Sequence, residues 1–170
     1  MTEQEDNKYL AENWHNSLSQ SGNLCDILAE MEEFKLDQED VPLIIKLVEN
    51  PKYKTSQIFS GAVDLFTHDC IHVLLGRGLL PKDEAFVIGY TMGSAKKMTR
   101  WRRNLFMFCC KYLYPEGYNF GEEERYVFYS GVMGGSRCGT DLTEVDFTDF
   151  LKKDIAEARE KLGIDPELLK

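Results

Sequence analysis

From Ala85 to Ala95 the chain runs AFVIGYTMGSA, eleven residues without a charge, with Phe86, Val87, Ile88, Tyr90 and Met92 spread round every face of a helix. A helix that is apolar all round has to be enclosed by others, so this run claims a central, buried place in any fold the chain adopts. It is about half the length that a membrane span needs, so protein rather than lipid must enclose it. Gly89 and Gly93 stand one helical turn apart and let a neighbouring helix come close.

The rest of the chain supplies the enclosing helices. Gly and Pro fall in short clusters, and no run combines strict alternation with β-branched residues as a strand would. The pattern predicts helices at roughly 4–19, 24–34, 38–49, 55–75, 82–98, 103–114, 121–136 and 147–162. Asn23 precedes the second, Asp37 precedes and Pro51 ends the third, the Gly76-Arg77-Gly78 turn ends the fourth, and Pro81 suits the first turn of the fifth. The expected fold is all-α, a single domain over residues 1–170 with residues 1–22 as a peripheral N-terminal helix. At 170 residues the chain suits one well-packed core.

Charge and cysteine content narrow the functions. Twenty Lys and Arg against 29 Asp and Glu leave a net charge of −9, which excludes general binding to nucleic acid, because phosphate recognition needs basic charge. The N-terminus MTEQEDNKYLAENW carries neither a signal sequence nor a transit peptide pattern. Five cysteines at Cys25, Cys70, Cys109, Cys110 and Cys138 lack zinc-finger spacing and read as reduced thiols of a cytoplasmic protein.

The chemistry is concentrated in THDCIHVLLGRGLLPKDE, residues 67–84. At about 100° per residue, His72 falls about 40° and Asp69 about 100° from His68, all within one quarter of the helix. The Gly-rich turn then reverses the chain, so that Glu84, early in the next helix, comes level with His72. His68, Asp69, His72 and Glu84 can therefore close round one point, and Leu65 and Leu75 turn the histidine face inward. Two imidazoles with carboxylates suit zinc, iron or another divalent ion. Four ligands would make a structural site. Three would leave a place for water or substrate, with Asp69 or Glu84 held back as a base. The metal-free alternative is a buried network in which the carboxylates neutralise the histidines. Cys70 points away and reads as a core residue.

These residues resemble a known family. His68-Asp69-x-x-His72, eleven residues, then Glu84 is similar to the HDxxH-x11-E signature of coenzyme Q biosynthesis protein four, and Ala156 to Ile164 looks like that family's closing helix. The resemblance is to a divergent member. It implies an all-helical protein of ubiquinone biosynthesis that holds a divalent metal, usually taken as zinc, on His68, Asp69, His72 and Glu84. It further implies a decarboxylase or hydroxylase step at the carboxylate-bearing ring carbon of a polyprenylated benzenoid or quinone precursor, beside other biosynthetic enzymes at a membrane. A homodimer is left open.

Against the acidic whole, Lys96, Lys97, Arg100, Arg102 and Arg103 form a basic run around Trp101, followed by Phe106, Phe108, Tyr112 and Tyr114. This suits an anionic lipid surface or a prenyl phosphate, and a protein peripheral on the inner face of a membrane. It also suits the end of a helix, where cations complement the dipole. A non-catalytic prenyl-lipid-binding or scaffolding protein with a structural metal is the second reading. A third pairs Glu12-x-x-His15 with Asp69-x-x-His72 in the manner of ferritin-like di-iron oxidases. Gly131, Gly134 and Gly135 either open room for a ligand or pack a helix closely.

Overall fold

The structure is a computed structural model that describes residues 22–32, 63–78, 80–112 and 120–169. It is all-α: six α-helices are present among these residues, and no strand. They are α1 (Leu24–Glu32), α2 (Leu65–Leu75), α3 (Pro81–Ser94), α4 (Arg100–Tyr112), α5 (Glu122–Gly135) and α6 (Ile155–Leu162), with short 3-10 turns at Leu142–Glu144, Phe147–Phe150 and Pro166–Leu169. The expected helices at 4–19 and 38–49, and with them Glu12 and His15, lie outside the described residues.

α3 is the central helix. Phe86, Val87 and Tyr90 face a core shared with α1, α2, α6 and the 3-10 turns, where Ile27, Ile71, Leu74, Phe147 and Leu162 are buried. Ala85, Ile88 and Met92 face a second core, with Phe106 and Cys110 of α4 and Phe128 and Val132 of α5. Its pairing with α5 is close enough that the glycines on both helices are needed. A Cβ on Gly89 would strike the Phe128 carbonyl, and one on Gly131 would strike the Phe86 carbonyl. Gly135 meets Tyr90 in the same way. The α5 glycines are therefore filled by the backbone and ring of α3 and leave no room there for a ligand.

Four boundaries differ from the sequence reading, one of them the start of α4, at Arg100 instead of 103. α2 begins at Leu65, because Asp64 is extended and caps it, accepting from the Thr67 amide at 2.9 Å. α3 ends at Ser94, whose hydroxyl turns back to the Thr91 carbonyl and accepts from the Leu142 amide. The predicted helix 147–162 is two pieces. Asp146 caps a 3-10 turn and Asp154 caps α6, while the segment between them meets the start of α1. There Leu24 N donates to Lys153 O, Cys25 N to Leu151 O, and Ile155 N to Gly22 O at 3.0 Å. Backbone partners drawn from α1 replace helical ones.

Candidate metal centre

α2 and α3 form an antiparallel hairpin around Gly76, whose left-handed φ of 60° suits glycine at a helix C-terminus. The hairpin brings three predicted residues together. His68 Nε2 lies 3.0 Å from His72 Nε2 and 3.0 Å from Glu84 Oε2, and His72 Nε2 lies 3.2 Å from Glu84 Oε1. One donor atom from each residue lies within 4.8 Å of the others, so the group can hold a metal ion. Donors of a tetrahedral zinc at about 2.0–2.2 Å stand about 3.3–3.5 Å apart, close to these separations. Asp69, buried on α2, stands outside this three-residue group.

The donor chemistry favours a cation at the centre. His72 Nδ1 lies 3.4 Å from the Arg77 carbonyl, which can only accept, so the proton of a neutral His72 ring belongs on Nδ1. Its Nε2 lone pair then points at a carboxylate oxygen and at the other imidazole. Moving protons cannot serve all three close contacts at once, because two N–H groups aimed at Glu84 would face each other at 3.0 Å. A divalent ion takes all three lone pairs together. A backbone carbonyl behind a ligating imidazole is the usual support of such a site.

Electrostatics agree. Glu84 sits in the first turn of α3, the positive end of that helix, and His72 in the last turn of α2, where the dipole favours a cation. Burial by itself would push the Glu84 carboxyl up, but His72 and His68 beside it hold it well below the usual carboxylate range. Glu84 is thus an anion ready to ligate. Arg77 lays its guanidinium 4.0 Å over the Phe86 ring; burial lowers its pKa while Asp83 pulls it back up.

The histidine stripe of α2 runs from solvent into the core. Leu65 is 47% exposed, the His68 side chain 19% and that of His72 1%, and Leu75 is fully buried. The expectation that Leu65 turns inward with the histidines fails, since only the C-terminal half of the stripe is covered. The centre is consequently closed on the His72 side and open at His68 and Glu84.

The basic run takes a different position from the one a helix end would give. Lys96 and Lys97 lie in the connection after α3, and Lys97 Nζ stands 3.4 Å from Glu144. Arg100, Trp101, Arg102 and Arg103 form the first turn of α4, where cations oppose the dipole instead of complementing it. Trp101, Phe108 and Tyr112 are exposed along α4, and Tyr126, Tyr129 and Met133 along α5. The Tyr129 hydroxyl donates to Asn104 at 3.3 Å, joining the two rows into one face. The α5 row was not anticipated, although its spacing of three and four residues is readable in the sequence.

All five cysteines are free. No described helix is long and apolar enough to cross a membrane. No known protein family, curated protein or solved structure matches the chain.

Proposed function

We propose that the chain is a metal-dependent protein of ubiquinone biosynthesis, related to coenzyme Q biosynthesis protein four. It holds one divalent ion, zinc or iron, and acts at the carboxylate-bearing ring carbon of a polyprenylated benzenoid precursor. The observation that carries this reading is the meeting of His68, His72 and Glu84 at the turn of a helical hairpin that is closed behind and open in front. Three protein donors with access to one side match a centre that works on a substrate more closely than a sealed structural site. The ion, when bound, supplies a Lewis acid. His72, pinned by the Arg77 carbonyl, fixes one ligand direction; His68 and Glu84 form the open edge. Leu65, exposed one turn before His68, offers apolar surface at that edge, which suits a prenylated ring. Asp69, buried on the same helix, supports the centre or serves as a base.

The test is metal content per chain on untagged protein, for wild type and His68→Ala, followed by turnover of prenylated hydroxybenzoates by the loaded protein. About one ion per chain in wild type, lost in the variant, with turnover that follows the metal, is the expected result. Full metal and no turnover of any such substrate would leave the chain a scaffold.

The exposed aromatic and basic face of α4 and α5 favours a second, compatible reading, in which the protein docks on an anionic membrane surface or on partner enzymes. Flotation with phosphatidylglycerol vesicles, lost on changing Arg100, Arg102 and Arg103 to Glu, is the expected outcome. Equal flotation of the variant removes the docking role from this face.

A further inference from the structure

α2 ends where the metal centre begins, so the groups that hold its last carbonyls also set the direction of His72. Those carbonyls can be followed one by one. The His72 carbonyl accepts from the Arg77 amide at 3.0 Å, and the Val73 carbonyl accepts from the Gly76 amide at 3.1 Å. The next, on Leu74, is buried and has no backbone donor among the described residues of its own turn. It accepts from Arg159 Nε at 2.7 Å, a side chain 85 residues further along the chain.

Arg159 lies on α6 and is only 7% exposed, an unusual depth for an arginine. A Cβ placed on Gly76 would lie 3.6 Å from its Nη2, so the guanidinium lies over the turn itself. α6 is in turn fastened at its start. Asp154 caps it and accepts from Gly22 N, and Ile155 N donates to Gly22 O, next to the start of α1. The guanidinium is thus brought to the end of α2 by an element anchored elsewhere in the core.

We propose that Arg159 is a positioning residue of the metal centre, one that acts through the turn and not by touching the ion. By holding the Leu74 carbonyl and covering Gly76, it fixes the Gly76-Arg77 peptides. The Arg77 carbonyl is then held where it receives the Nδ1 proton of His72, and Nε2 is left bare and aimed at His68 and Glu84. Without Arg159 a buried carbonyl loses its donor. The turn relaxes to find another partner, and the carbonyl that sets the His72 tautomer moves with it. The proposal rests on the metal reading given above.

The test uses cobalt(II) as a spectroscopic probe of the full chain. Arg159→Met keeps the length and removes every donor; Arg159→Lys keeps the charge and a single, more mobile donor. Affinity for cobalt should fall by about tenfold or more in the Met variant, the usual effect of losing an orienting partner. Its visible absorption bands should also shift or weaken, with the Lys variant between it and wild type. A Met variant that melts earlier but binds cobalt with wild-type affinity and spectrum overturns the proposal and leaves Arg159 a stabilising residue only. If the Met variant does not fold, the Lys variant carries the test: reduced affinity with altered bands supports the positioning role, and wild-type values overturn it. Failure of wild type to bind cobalt overturns the metal reading itself, a result distinct from either.

Discussion

At the His68–His72–Glu84 centre two imidazoles meet a carboxylate, with Glu84 at the favourable end of α3 and His72 at the favourable end of α2, whereas on the face of α4 and α5 cations stand at the wrong end of a helix and aromatic rings stand in water. The two regions share α3, which gives Glu84 to the first and packs Ala85, Ile88 and Met92 against the helices of the second. Helix packing gathers the polar side chains of the centre and covers them on the His72 side. On the other face Trp101 is 65% exposed and Tyr126 78%, large aromatic surface that the described residues leave in water. The contrast separates polar side chains gathered by packing from aromatic side chains left outside it.

The strongest way to break this contrast is at the centre. His72→Ala removes a candidate metal donor whose ring is buried, and metal affinity should fall by more than the about 10- to 100-fold that follows loss of an orienting partner. Metal analysis after dialysis reads it directly, and retained metal would mean that another donor set holds the ion.

The shared helix gives the next largest effect. Gly131→Ala places a methyl against the Phe86 carbonyl, so α3 and α5 must separate, at a cost of about 1–3 kcal/mol in urea unfolding. Because Phe86 lies two residues from Glu84, metal affinity should drop as well. An unchanged unfolding midpoint would show that the helices are less closely paired than described.

A smaller effect appears with pH. Glu84 has its pKa depressed by the two histidines, so its contribution to stability is complete above the unfolded value of about 4.5 and is lost as the pH falls below it. In metal-free protein the difference in melting temperature between wild type and Glu84→Gln should therefore shrink on going from pH 6 to about pH 3. A difference that stays constant or grows would contradict the pairing.

The smallest change in stability is expected on the exposed face. Replacing Arg100, Arg102 and Arg103 with Glu puts acidic groups in the first turn of α4, where the dipole favours them by about 0.3–1 kcal/mol each at most. Stability should hold or rise slightly and metal content should not change, while vesicle or partner association is lost. Marked destabilisation would show that these arginines serve the fold.

Much of the centre was legible because it depends on short-range geometry. His68 and His72 share a face by helical spacing, and Gly76 with Pro81 forces the reversal that brings up Glu84. The position of Asp69 was not legible, since about 100° of rotation is compatible with either a ligand or a neighbour of the ligands. Nor was the place of the basic run. Residues 96–103 carry good signals both for ending one helix and for starting another, and the Ser94 and Asp141 hydrogen bonds to Leu142 and Lys96 decide between them.

By itself, then, the sequence determined the all-helical class, the central burial of α3 and the approach of two histidines to one carboxylate. These follow from periodicity and from residues whose backbone preferences are strong. Only the tertiary structure decided that Arg77 offers a carbonyl to His72, that Arg159 reaches the end of α2, and that residues 151–154 leave the helix to meet α1. The reason is physical. A carbonyl is the same group in every residue, and which donor satisfies it is settled by what packing brings within about 3 Å, a choice that local sequence does not encode.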